Sequence, residues 1–154
     1  MLTEDEIKEI TAELAHCELK SAACIEALKS VQKRRGWVSD ASIRDIASLL
    51  AMTPAELDGV ATFFNFIYRK PVGRHVIVIC DSMACWSLGY DPLREMVGQK
   101  LGIGFGETTQ DNRFTLLPAS CLGACDRGPA MLVNEDLYGP VTPEMVDKIL
   151  GKYK

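Results

Sequence analysis

The sequence predicts a small α/β layered domain preceded by a bundle of short helices. Three observations carry this. Before Arg69 the apolar residues recur at helical spacing, with capping residues between the runs. At Arg69-Lys70-Pro71-Val72-Gly73-Arg74 the helical period stops amid charge, Pro and Gly. Beyond it a β-branched apolar run is followed by an amphipathic helix, further strand-like runs and a closing helix. The boundary is placed so that residues 1–72 form the helical bundle and residues 73–154 the α/β domain.

Thr3 followed by Glu6 is a capping box, and Ile7, Ile10, Leu14 and Cys17 then trace a helical stripe. Ser21 opens a second helix whose face carries Cys24, Ile25, Leu28 and Val31, with Gly36 as its stop. Ser39 or Asp40 starts a third, with Ile43, Ile46, Ala47 and Leu50 at helical spacing. In the fourth, Thr53 is the N-cap, Pro54 the first helical residue and Glu56 the partner at N3. Leu57, Val60, Phe63 and Phe64 are its expected buried face. Such stripes are buried by packing helix on helix, so a bundle is expected.

In the second domain His75–Cys80 reads as a buried strand. Asp91 and Pro92 start a helix with Leu93, Met96, Val97 and Leu101 inward. Phe114–Leu117 and Ala130–Val133 read as two further strands, and Leu137-Tyr138 as a short fourth. Thr142-Pro143 caps a last helix striped by Val146, Ile149, Leu150 and Tyr153. No internal repeat or low-complexity tract interrupts the pattern.

The chain has 154 residues and a formal net charge of −4, which disfavours a nucleic-acid or anionic-membrane surface because both call for a basic patch. No apolar run approaches the ~20 residues of a membrane span, so no direct membrane insertion is expected. The acidic start, Met1-Leu2-Thr3-Glu4-Asp5-Glu6, resembles neither a signal peptide nor a transit peptide. A reducing, cytosolic setting is therefore expected, where paired thiols bind metal or react more often than they form disulfides.

Four of the six cysteines fall into two tight pairs far apart in sequence, Cys80-x4-Cys85 and Cys121-x3-Cys125. In the element order above Cys80 ends the first strand and Cys121 follows the second. Both pairs are therefore expected in loops at one end of the sheet. Structural zinc most often takes tighter Cys spacings. A 2Fe–2S rhombus is larger, with two irons each taking two thiolates, and suits wider ones. Gly123 and Gly128 in the second loop permit backbone to approach sulfur, or simply serve turn geometry. The spacing favours 2Fe–2S, with structural zinc, a disulfide and free thiols as alternatives. Arg127 either offsets cluster charge or is an ordinary solvated arginine, and Trp86 either packs, shields the centre or meets a partner.

Gly102-Ile103-Gly104-Phe105-Gly106 follows a helix rather than a strand and fails the context of a dinucleotide fingerprint; there is no Walker A motif. His16 and His75, the only histidines, are read as structural. A second metal site at His16, Cys17 and Cys24 is the weaker alternative to packing of both cysteines on apolar stripes. A one-electron centre without a substrate motif calls for a partner that splits electron pairs, and a flavin does so.

Several segments together resemble one family over nearly the whole chain. They include Ala27-Leu28-Lys29-Ser30-Val31, Gly59-Val60-Ala61-Thr62-Phe63-Phe64, Cys80-Asp81-Ser82-Met83-Ala84-Cys85 and Cys121-Leu122-Gly123-Ala124-Cys125-Asp126-Arg127-Gly128-Pro129. The family is that of the 24-kDa-type 2Fe–2S subunits of bacterial NADH:quinone oxidoreductase, respiratory complex I. The resemblance implies a thioredoxin-like fold for the second domain and one 2Fe–2S cluster held by Cys80, Cys85, Cys121 and Cys125. It implies docking on a flavoprotein subunit that carries FMN and binds NADH, among further subunits of the complex I peripheral arm. It also implies a peripheral place on the cytoplasmic side of the bacterial inner membrane. Cys17 and Cys24 lie outside the family pattern. Related subunits of NAD-dependent formate dehydrogenases and NAD-linked hydrogenases are the alternative. A free-standing ferredoxin and a zinc-stabilised interaction module are rivals of other classes.

Overall fold

Side chains cap three of the four helices of the first part of the chain. In this computed structural model, which describes residues 1–154, helix α1 spans Glu4–Leu14 and begins with the Thr3–Glu6 capping box. Helix α2, Cys24–Arg35, is entered through a 3₁₀ turn at Lys20–Ala23 and stops at Gly36, whose φ of 80° is the left-handed conformation that glycine adopts without strain. Helix α3, Asp40–Leu50, starts at Ser39, whose hydroxyl accepts from the Ser42 N–H. Helix α4, Pro54–Phe63, repeats the capping box with Thr53 and Glu56. Each side-chain cap contributes about 1 kcal/mol by satisfying amide groups that have no partner within the helix.

The chain divides into two units, Met1–Pro71 and Val72–Lys154. The first is a helical bundle whose core includes the fully buried Ile10, Leu28, Val31, Ile46, Leu50 and Leu57. Glu6 is also buried there. Arg35 closes on it with a fork, Nε donating to Oε1 at 2.7 Å and Nη2 to Oε2 at 2.5 Å. Gln32 brackets the segment after α4: its Nε2 donates to the Phe66 carbonyl at 2.7 Å and its Oε1 accepts from the Tyr68 N–H at 2.6 Å. Arg69 donates to Asp58 at 2.8 Å and Asp40 at 2.6 Å, and also to the Val38 carbonyl. Two apolar stripes differ from expectation. Ile7 of α1 is exposed, and α4 buries Leu57 and Ala61 while Val60 is half-buried and Phe63 and Phe64 face outward.

The second unit is built on a mixed four-stranded sheet. Its strands are β1 (His75–Cys80), β2 (Phe114–Ala119), β3 (Met131–Val133) and β4 (Asp136–Tyr138), in the spatial order β2-β1-β3-β4. Strand β1 pairs parallel with β2 and antiparallel with β3, and β3 pairs antiparallel with β4. With a neighbour on each side, β1 is buried almost throughout, which is why it reads as an unbroken apolar run rather than an alternating one.

Two helices connect β1 to β2: α5 (Met83–Ser87) and α6 (Tyr90–Leu101). Helix α6 buries Leu93 and Val97 and begins at Tyr90 rather than Asp91; Gly89, at φ 115°, makes the turn into it. A 3₁₀ turn at Pro143–Met145 precedes the closing helix α7 (Val146–Leu150). Tyr153 falls beyond α7 yet is buried, and its hydroxyl donates to Asp136 at 2.5 Å.

Candidate metal centre

The sheet register brings the two thiol pairs to one place. Parallel pairing sets Cys80, the last residue of β1, opposite Ala119, the last of β2, and Cys121 follows two residues later. Cys80 is held there from both sides. Its N–H donates to the Ala130 carbonyl at 3.1 Å, and the next N–H, of Asp81, donates to Ala119 at 2.9 Å. Cys85, expected in a loop, stands instead in the middle of α5, a single turn that begins three residues after Cys80. Cys125 opens a 3₁₀ turn, Cys125–Arg127.

Cys80 and Cys85 are buried, and they pack with Ala124, Ala130 and the half-buried Leu122 in a small apolar cluster of their own. Residues of the second loop thus wall the first pair. Cys121 and Cys125 are exposed, with their sulfurs 3.7 Å apart. No three His, Cys, Asp or Glu side chains are grouped closely enough to hold a single ion. The thiols therefore stand as two pairs, one dry and one solvent-facing.

Each pair meets polar donors. The Ser82 hydroxyl lies 3.3 Å from Cys80 Sγ, and the Gly123 N–H donates to Cys121 Sγ at 3.3 Å. Burial alone would push the Cys80 thiol up. Donation from the Ser82 hydroxyl and backbone, from Cys85 and from the Leu122 backbone outweighs it, and the thiol is held below its ordinary value. Burial pushes the Cys85 thiol up, and the neighbouring Cys80 adds to this. Cys121 pushes the Cys125 thiol up through their contact and charge repulsion.

Both loop glycines have a physical reason. Gly123 has φ 75°, which presents its N–H to the Cys121 sulfur without backbone strain. At Gly128 a Cβ would stand 2.9 Å from Leu88 Cδ1 and 3.4 Å from Cys85 Sγ. Gly139, which belongs to no motif in the sequence, supports the same loop from behind. A Cβ there would come within 2.3 Å of the Arg127 carbonyl oxygen.

The residues fit a cluster of two irons. Four soft thiol donors arrive as two pairs, the Gly123 N–H points at the Cys121 sulfur, and an apolar wall backs the buried pair. Arg127 is exposed and sits 3.7 Å from the Asp126 carboxylate, the position of a solvated surface arginine. Trp86 is 58% exposed, so packing does not account for it. His75 Nδ1 lies 2.9 Å from Asn134 Nδ2, a contact where β1 begins, at the opposite end of that strand from Cys80. His16 is exposed, while Cys17 and Cys24 are half-buried and pack against the helical core.

Comparison with known proteins decides the family. The profile of the thioredoxin-like [2Fe-2S] ferredoxin family matches residues 7–154. The chain belongs to that family. Two relatives are the E subunits of NADH-quinone oxidoreductase from Buchnera aphidicola subsp. Acyrthosiphon pisum and from Escherichia coli K12. They are 49% and 48% identical over 99% of this chain and 94% and 92% of their own length. An NAD+-reducing [NiFe]-hydrogenase shares the fold, with a TM-score of 0.68 at 21% identity over 82% of this chain. This chain spans 22% of that hydrogenase chain's length. As a thioredoxin-like [2Fe-2S] ferredoxin the protein has one 2Fe–2S cluster as its cofactor. No helix is long and apolar enough to cross a membrane.

Proposed function

We propose that this chain is the one-electron carrier subunit of an NADH:quinone oxidoreductase, with Cys80, Cys85, Cys121 and Cys125 as the ligands of its 2Fe–2S cluster. The observation that carries the ligand set is the β1–β2 register, which sets Cys80 beside the strand end from which the Cys121 loop departs. When bound, the cluster supplies a one-electron couple whose reduced form carries one further negative charge and takes up no proton. The protein's part is to hold and insulate it. Ala124, Ala130 and Leu122 keep water from the Cys80–Cys85 side, while the Cys121–Cys125 side stays open to a partner.

An open cluster edge without its own hydride acceptor suits a flavin-bearing partner. FMN and the NADH site belong to that flavoprotein subunit, and other subunits of the complex I peripheral arm complete the assembly. Residues 1–72 serve as a docking module, and residues 73–154 carry the cluster. The assembly places the chain peripherally on the cytoplasmic side of the bacterial inner membrane. Identity of 48–49% to the two NADH-quinone oxidoreductase relatives, over nearly the whole chain, favours this reading over an equivalent component of a hydrogenase or formate dehydrogenase.

Co-expression with the flavoprotein subunit tests the carrier role. NADH is expected to reduce the cluster, seen as a rhombic EPR signal, only when that subunit is present. Reduction by NADH of this chain alone, or failure of the two chains to co-purify, would contradict it.

A further inference from the structure

One polar contact at the thiol site is not required by the fold. Ser82 occupies the N-cap of α5 with extended backbone, φ −72° and ψ 163°. In that position a serine hydroxyl ordinarily accepts from a backbone N–H two or three residues on. Ser39 and Thr53 do so in this chain. Ser82 does not: its side chain makes no capping bond, and its hydroxyl lies 3.3 Å from Cys80 Sγ. The helix starts on its backbone bond alone, the Trp86 N–H donating to the Ser82 carbonyl at 2.8 Å, whereas the helices begun by Ser39 and Thr53 have both that bond and the side-chain one. The hydroxyl has been diverted from the helix to the sulfur.

We propose that Ser82 is a positioning residue for electron transfer, its hydroxyl donating to the Cys80 sulfur and so raising the reduction potential of the cluster. This rests on the ligand set proposed above. Reduction adds one electron and no proton, so the thiolate sulfurs become more negative. A donor to sulfur therefore stabilises the reduced form more than the oxidised one. Cys80 is 1% exposed, and in such surroundings water does not screen the contact. Cys121 receives its bond from a backbone N–H, which substitution of Gly123 leaves in place. The Ser82 hydroxyl is the one side-chain hydroxyl within hydrogen-bond distance of a proposed ligand sulfur.

The test is an EPR-monitored redox titration of the full-length holo-protein with dithionite, alongside iron and sulfide counts. Ser82→Ala and Ser82→Gly are expected to keep the cluster. At a fixed potential their reduced-to-oxidised ratio should fall about tenfold, a midpoint lower by about 59 mV for one electron. Glycine is included because it is well accepted at an N-cap. Ser82→Thr, which keeps a hydroxyl, should return the midpoint toward wild type. Ser87→Ala, on the same helix but bonded to the Ala84 carbonyl, should not move it.

A wild-type midpoint in a fully loaded hydroxyl-free variant would overturn the proposal, as would an equal shift in Ser87→Ala. Loss of the cluster from both the alanine and the glycine variant would overturn it too, making Ser82 structural. The ligand set fails separately. If Cys80→Ala retained a full cluster with an unchanged EPR signal, Cys80 would not be a ligand, whatever the Ser82 variants did.

Discussion

Glu6 shows how one side chain serves two purposes in the helical unit. Its carboxylate closes the capping box by accepting from the Thr3 N–H at 2.8 Å, and it accepts the Arg35 fork. Hydrogen bonding to Arg35 is the main reason its carboxyl is held below the usual value of 4.5, against the opposing effect of burial. A depressed folded-state pKa makes the ionised form the stabilising one. The contribution is complete well above the unfolded value, declines as pH falls through that region, and is gone below the folded value. Glu6→Gln is expected to lower unfolding free energy at pH 7 by about 2 kcal/mol, with the difference from wild type shrinking in acid. Urea denaturation at several pH values measures both; a pH-independent difference would contradict the linkage. The capping role was legible in the sequence because Thr3 and Glu6 are three residues apart. The Arg35 fork was not, because it joins residues of α1 and α2 that only packing brings together.

At the scale of elements, local signals located most helices and strands but not α5. Met83–Ser87 is a single turn, too short to display a periodic stripe, and much of its apolar surface points outward. Trp86, Met83 and Leu88 are exposed beside the buried Cys85. Trp86→Ala should leave the isolated chain folded and loaded while weakening its binding to the proposed flavoprotein partner at least tenfold, as loss of an aromatic interface contact does. Titration calorimetry would show this, and unchanged affinity would remove Trp86 from the interface. The exposed Phe63 and Phe64 depart from their expected burial for a related reason: periodicity marks a helix face as apolar but does not say whether this chain covers it. The loop after β2 depends on glycine at a distance. Gly139→Ala would push a Cβ to 2.3 Å from the Arg127 carbonyl oxygen, so backbone must move. The expected result is destabilisation of at least about 2 kcal/mol and reduced iron occupancy of the purified protein. Full iron content with wild-type stability would show that the loop yields at no cost.

Over the whole molecule, composition, the change of period near residues 69–74 and the cysteine spacing were enough to indicate helices followed by a small α/β unit and a 2Fe–2S cofactor. Strand order was not legible. Nothing in the apolar run His75–Cys80 says that β1 lies between β2 and β3, or that Cys80 pairs opposite Ala119. That register is nonetheless what the proposed four-cysteine ligand set rests on. The most direct measurement is therefore an iron and acid-labile sulfide count, with visible and EPR spectra, on the full-length protein and its four single Cys→Ala variants at positions 80, 85, 121 and 125. Two irons and two sulfides per wild-type chain are expected, with the reduced-cluster signal lost or replaced in every variant. Zinc in place of iron, or a variant that keeps the full complement and an unaltered spectrum, would contradict the assignment.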